Sequence, residues 1–138
     1  MARAPVYHDC HATTPIDPRV LHAMLPYFTE YFGNPASAAH AWGWKAQAAV
    51  ERARRQVAAL IGAAPRRIVF TSGATESNNL AIRGAALAAE GRRRIVVSAI
   101  EHKSVLETAA HLAPLGFDVV TLPVSSDGLV DLAEAARL

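Results

Sequence analysis

The stretch Arg66-Arg67-Ile68-Val69-Phe70-Thr71-Ser72-Gly73-Ala74-Thr75-Glu76-Ser77-Asn78-Asn79 passes from a short β-branched and aromatic run, through Ser and Gly, into a segment of small residues. The run predicts a strand over 67–71. Ala81, Ala85 and Ala88 then recur at helical spacing, which predicts a helix after the Gly73 turn. The order repeats downstream. Ile95–Ser98 is followed by a helix opening at Glu101-His102-Lys103, and Asp118–Leu122 is followed by a Ser125-Ser126-Asp127-Gly128 turn and a helix opened by Asp131 and Glu134. Alternation of strand and helix argues for an α/β chain whose parallel sheet is flanked by helices. Residues 66–72 and 93–99 look alike, as two buried parallel strands do without duplication, so no internal repeat is inferred.

Upstream the pattern is helical. Residues 1–16 read as an extended lead-in with a short strand at Val6 and Tyr7. Asp17-Pro18 opens a helix: the carboxylate caps early N–H groups, and proline at the first position lacks only a donor that would have no partner. Val20, Leu21, Met24, Leu25 and Phe28 follow at helical spacing, with Pro26 expected to kink or divide the helix. Gly33-Asn34-Pro35 breaks the pattern and places Asn34 in a loop. From about Ala38, Trp42, Ala46, Val50, Ala53, Val57, Leu60 and Ile61 form the stripe of a long amphipathic helix closed at Gly62, with Arg52, Arg54 and Arg55 on its solvated side.

The composition narrows the function classes. A chain of 138 residues, 51% hydrophobic and 19% charged, can fill one modest core. A net charge of +2 gives no footprint for direct nucleic-acid binding. The single cysteine, Cys10, precludes an internal disulfide and fits a reducing, cytoplasmic-type compartment. No apolar run approaches the length of a membrane span, and the N-terminus has no apolar signal core. His8, Asp9, Cys10 and His11 invite a metal reading, but neighbours on an extended segment point to opposite faces, so no metal site is expected. The final helix opens near Asp131 and reaches Leu138 without a capping glycine, an expectation of a sequence cut rather than completed.

Two places could carry chemistry. The Thr71–Thr75 turn offers free N–H groups, the positive end of a helix dipole, and the hydroxyls of Ser72, Thr75 and Ser77. That describes either a phosphate cradle or an ordinary turn with Ser/Thr caps. Neither the G-x-G-x-x-G fingerprint nor a Lys-Ser/Thr phosphate loop is present. His102 follows the next strand, and ligands of open parallel sheets bind beyond the carboxyl ends of strands. It is either a ring-stacking or proton-moving imidazole, or a solvated helix-start residue. Lys45 and Lys103 are the only lysines.

Four segments, taken in order, resemble the N-terminal motifs of NifS/IscS-type cysteine desulfurases. They are Ala12-Thr13-Thr14-Pro15; Gly33-Asn34-Pro35-Ala36-Ser37 with His40; Phe70 through Ile82; and Glu101-His102-Lys103-Ser104-Val105-Leu106. The resemblance runs from about Val6 to the last helix. It implies part of the large domain of a fold-type I, class-V aminotransferase enzyme dependent on pyridoxal 5′-phosphate. Residues 1–62 would be an N-terminal arm and helices, and 63–138 the first strand-helix units. It implies that Ala74 and Thr75 bind the cofactor phosphate, and that His102 stacks on the pyridine ring and assists proton transfer. It further implies L-cysteine as substrate, L-alanine as product, a homodimer or a C-terminal completing chain, and a sulfur-acceptor protein for iron-sulfur cluster or thio-nucleoside synthesis.

The family's cofactor-binding lysine, the aspartate under the pyridine nitrogen and the persulfide cysteine have no counterpart here. Lys103 and Cys10 match neither role, so this chain alone is expected to be inactive. The resemblance also implies that the first strand lies apart from the second and third, with later strands between. Unpaired edges and uncovered apolar faces are therefore expected. The alternatives are a non-catalytic scaffold chain or half of a split enzyme, and a free-standing binder of phosphorylated ligands.

Overall fold

The computed structural model describes residues 5–138, which fall into two compact units meeting in sequence between Val69 and Phe70. In the first unit, α1 (Pro18–Met24) begins with the Asp17 carboxylate accepting the Arg19 N–H at 2.8 Å. The Arg19 guanidinium then closes on the same carboxylate at 2.7 Å. Pro26 divides the apolar stripe rather than kinking it, becoming the first residue of α2 (Pro26–Thr29). The loop that follows is drawn tightly to the start of α3 (Ala41–Leu60). A Cβ on Gly33 would stand 2.6 Å from the Trp42 carbonyl carbon, so no larger residue fits without moving the backbone. Asn34 Oδ1 accepts the Ala36 N–H at 2.9 Å, and Phe32 stacks on Trp42 with ring centroids 5.3 Å apart. Helix α3 stops as its Gly62 predicts: the Ala63 N–H reaches back to Ala58 at 2.8 Å, while Gly62 takes φ 67°.

Two expected strands are absent. Val6 and Tyr7 are exposed irregular chain, and residues 1–4 of the expected lead-in lie outside the described residues. Over 67–71, Arg67 ends the 3₁₀ turn Pro65–Arg67, Ile68 is extended, and the residues beyond it join no ladder. Strand character belongs to a pair of segments, and these runs have none to pair with among the described residues.

In the second unit, α4 (Ala74–Ala88) leads to β1 (Arg94–Ser98), α5 (Lys103–Ala110), β2 (Asp118–Leu122) and the short α6 (Leu132–Ala135). β1 and β2 pair in parallel, with Arg94 opposite Asp118 and Ser98 opposite Leu122, giving a two-stranded sheet. The Arg94–Asp118 ion pair at 2.7 Å marks the entry end of that register. Leu112 and Ala109 are fully buried beside the nearly buried Phe117 and Leu122. Gly116, at φ 85°, makes the left-handed turn into β2. The Asp131 carboxylate accepts the Ala133 and Glu134 N–H groups and opens α6.

Elsewhere apolar side chains stand in the open. Phe28, Phe32, Trp42, Trp44, Leu60, Val69, Leu87 and Ile100 are all exposed. So much large apolar surface is unusual for a finished domain.

Candidate functional site

The second unit holds every residue proposed above to touch a cofactor. Ala74 and Thr75 are the first two residues of α4, and His102 is the N-cap of α5. Helix α5 begins shortly after β1, and α4 shortly after residues 68–71, which join no sheet.

At the start of α4, Ser77 N–H donates to the Gly73 carbonyl at 3.1 Å and begins the helical ladder. The N–H groups of Ala74 and Thr75, both exposed residues, precede that ladder and have no acceptor among the described residues. Glu76 turns back rather than forward. Its Oε2 accepts the Ser72 N–H at 2.6 Å and the Ser72 hydroxyl at 2.7 Å. Those bonds, the hydroxyl's first, hold the Glu76 carboxyl below the usual carboxylate range, so it is ionised at neutral pH. Its charge is thereby engaged by Ser72, and the first-turn donors remain free. Thr71 and Ser77 share a hydroxyl–hydroxyl bond of 2.6 Å that braces the turn from behind. Nothing lies within 4 Å of where a Gly73 Cβ would stand, so the chain's own packing does not require glycine there and the turn opens onto free space.

At the start of α5, the Ser104 N–H donates to His102 Nδ1 at 3.1 Å, so the imidazole itself caps the helix. Ser104 Oγ stands 2.8 Å from the same Nδ1, and Asn78 Nδ2 donates to that Oγ at 2.8 Å. Asn78 lies on α4, so this chain of bonds ties the helix carrying Ala74 and Thr75 to the His102 ring. Motif reading passed over the role of Asn78. Its partner is 26 residues away, and only the packing of α4 on α5 brings the two together.

The other candidates stand apart from this arrangement. The segment around Cys10 is a turn rather than the expected extended segment: the Ala12 N–H bonds the Asp9 carbonyl at 3.0 Å. No cluster of three or more His, Cys, Asp or Glu side chains suited to a metal occurs among the described residues. No helix among them is long and apolar enough to cross a membrane.

A parallel pair of strands joined through α5 is the strand-helix-strand unit of an α/β chain. Its residues 6–138 match the aminotransferase class-V family, and the chain belongs to that family. It is 56% identical to the human protein named cysteine desulfurase over 131 residues, covering 94% of this chain and 29% of that protein. Among solved structures, a NifS-like protein superposes with a TM-score of 0.85 at 45% identity, over 96% of this chain and 36% of the other. A structure described as SspA in complex with cysteine gives 0.81 at 42% identity, over 95% and 38%. The chain thus spans about a third of the length of the proteins it matches.

Proposed function

We propose that this chain is the N-terminal portion of a pyridoxal 5′-phosphate-dependent cysteine desulfurase, with residues 1–62 as its arm and helices and 63–138 as the first strand-helix units of its large domain. The observation that carries the reading is the pair of helix starts joined through Asn78 and Ser104. One presents unbonded N–H groups and the other an exposed imidazole.

The donor set fits the cofactor. Ala74 and Thr75 offer two backbone N–H groups and one hydroxyl at the positive end of a 15-residue helix, the chemistry a phosphate dianion requires. The open space at Gly73 admits it. His102 supplies a flat ring for stacking and a nitrogen able to hold or release a proton. When bound, pyridoxal 5′-phosphate supplies an electron-poor ring that stabilises negative charge on the amino acid's α-carbon.

In the reaction proposed for the whole protein, the carbon–sulfur bond of L-cysteine breaks and L-alanine leaves. The sulfur joins a cysteine thiol as a persulfide, so no external oxidant is needed. Ala74 and Thr75 bind and orient, and His102 stacks and carries a proton. Lys103 and Cys10 are assigned neither the covalent nor the sulfur-accepting role. The exposed apolar surface supports completion by further polypeptide, as a homodimer or with a C-terminal completing chain. A sulfur-acceptor protein and a reducing, cytoplasmic compartment belong to the same proposal.

The test is a titration of ¹⁵N-labelled chain with pyridoxal 5′-phosphate, with pyridoxal as the control. The expected result is selective movement of the Ala74 and Thr75 amides and the His102 ring with the phosphorylated form. Equal response to both compounds, or none in a chain whose α4–α5 packing is intact, refutes the phosphate assignment.

A further inference from the structure

Four histidines in the described structure have Nδ1 in a defined hydrogen bond, and they divide into two kinds. His22 Nδ1 lies 2.7 Å from the Pro18 carbonyl and His111 Nδ1 lies 2.6 Å from the Glu107 carbonyl. A carbonyl only accepts, so in both Nδ1 carries the proton. His40 Nδ1 accepts the Gly43 N–H at 3.2 Å and His102 Nδ1 accepts the Ser104 N–H at 3.1 Å. A backbone N–H only donates, so in these the neutral ring carries its proton on Nε2.

At His102 the polarity is set a second time. The Ser104 hydroxyl reaches the same Nδ1 at 2.8 Å and can serve it only as a donor. Asn78 Nδ2 donates to the Ser104 oxygen at 2.8 Å, taking one of its two lone pairs and favouring the hydroxyl as donor to the ring. Ser104 is 6% exposed, so water has little access to substitute for either partner. The Thr108 hydroxyl bonds the Ser104 carbonyl at 2.6 Å and secures the backbone from which both donors project.

The geometry points to Asn78 and Ser104 as positioning residues that hold His102 in one orientation and one tautomer, with Nδ1 committed inward and Nε2–H presented outward. This rests on the reading of His102 as the cofactor-facing ring, and it deepens that reading. Proton traffic at the site passes through Nε2, because a proton on Nδ1 would break its bond from the Ser104 backbone N–H and reverse its bond with the Ser104 hydroxyl. The ring plane is set from α4, the helix that also carries Ala74 and Thr75. The phosphate-binding turn and the stacking ring are thus aligned by one side chain reaching between two helices.

The measurement is a long-range ¹H–¹⁵N correlation of this chain carrying ¹⁵N-histidine, without cofactor, at about pH 8, where neutral imidazole predominates. His22 and His111 provide the Nδ1–H reference, and His8 and His11 the irregular-chain reference for freely averaging tautomers. The expected result is a His102 Nδ1 signal of unprotonated type, clearly displaced from the His8 and His11 average and opposite in sense to His22 and His111. Asn78→Asp is nearly isosteric but accepts where the amide donates. It draws the Ser104 hydroxyl proton to itself and shifts His102 toward Nδ1 protonation. Ser104→Ala moves His102 toward the irregular-chain average while Ser104→Thr, which keeps the hydroxyl, restores the wild-type signal. That pair keeps the test decisive if the aspartate variant does not fold. A purely structural hydrogen bond would lower stability in these variants without reversing the ring's tautomer.

A wild-type His102 signal coincident with His8 and His11, or one unmoved by Asn78→Asp in a folded chain, overturns the proposal. Adding pyridoxal 5′-phosphate afterwards tests the underlying reading separately. An intact tautomer with no response to the cofactor would sink the cofactor assignment and spare the geometry.

Discussion

Two glycines inside helices are expected to respond to the same substitution with opposite signs. Gly43 is the third residue of α3, and a Cβ there would stand 2.8 Å from the Ser37 carbonyl carbon and 3.0 Å from the Ser37 Cβ. Carbon atoms settle at about 3.5–4.0 Å, so the loop or the helix start must move by roughly 0.5–1.2 Å. Overpacking of this kind costs about 1–3 kcal/mol. The shift also loosens the His40 cap on the Gly43 N–H and the bond from Trp44 Nε1 to the Ala38 carbonyl, now 3.2 and 2.7 Å. Against this stands a helix-propensity gain of at most about 1 kcal/mol for alanine over glycine. Gly43→Ala is therefore expected to destabilise the first unit by about 1–2 kcal/mol. Gly84, within α4, has nothing within 4 Å of its would-be Cβ. There the propensity term acts alone, and Gly84→Ala is expected to stabilise the second unit by about 0.5–1 kcal/mol. Trp42 and Trp44, the only tryptophans, flank Gly43 and report the first unit by fluorescence during denaturant unfolding. Amide exchange within α4 reports the second. A Gly43→Ala chain as stable as wild type would refute the close approach of Ser37 to α3. A destabilised Gly84→Ala would refute the open face of α4.

Removing the Thr75 hydroxyl with Thr75→Val deletes one donor to a phosphate dianion, a bond worth about 1.5–3 kcal/mol. Affinity for pyridoxal 5′-phosphate measured by titration should fall about 10- to 150-fold, and an unchanged affinity would remove Thr75 from the site. Leu112→Ala empties a fully buried position and should cost the second unit about 2–5 kcal/mol, read as lost amide protection in β1 and β2. The Glu76 carboxyl lies below its ordinary range because of Ser72, so the folded state binds its proton less readily than the unfolded chain does. Its contribution is present above the unfolded carboxylate range and fades as pH falls through the folded value. Glu76→Gln should flatten that acid-side loss of α4 protection, and an unchanged pH profile would count against the Ser72 bonds.

How much was legible in the sequence depended on the distance over which each element is decided. Helix α3 was readable because its periodicity and its Gly62 stop are local, although its start at Ala41 is set by the His40 cap rather than near Ala38, and Arg54, expected on the solvated side with Arg52 and Arg55, is part-buried and bonds Glu51 and the Ile68 carbonyl. β2 falls on the expected Asp118–Leu122, and β1 begins one residue earlier than expected because Arg94 pairs with Asp118. The runs at Val6-Tyr7 and 67–71 have the composition of strands, yet composition cannot supply the neighbour that a ladder needs. At the candidate site, the turn before α4 and the helix start at His102 were visible as turn chemistry. Capping by the imidazole was concealed because histidine at a helix start looks like any polar residue. The bond from Asn78 to Ser104 depends on the packing of two helices, which no local pattern encodes. Likewise, that Glu76 turns back to Ser72 instead of blocking the first-turn donors is a rotamer choice, invisible in the order of residues.

The β1–α5–β2 unit also bears on the order in which such a protein assembles. Its outermost rung joins residues 24 apart, so the closing loop is short and its entropic cost modest. At synthesis rates of about 5–20 residues per second, that interval leaves the ribosome in roughly one to five seconds, long compared with the folding time of a small local motif. The pair of strands can therefore close, and His102 can take its place at the mouth of α5, without waiting for a contact more distant in sequence. A nascent chain at that stage carries an organised imidazole and a two-stranded sheet whose outer edges are unpaired among the described residues. Those edges are the surface a chaperone would have to shield during translation.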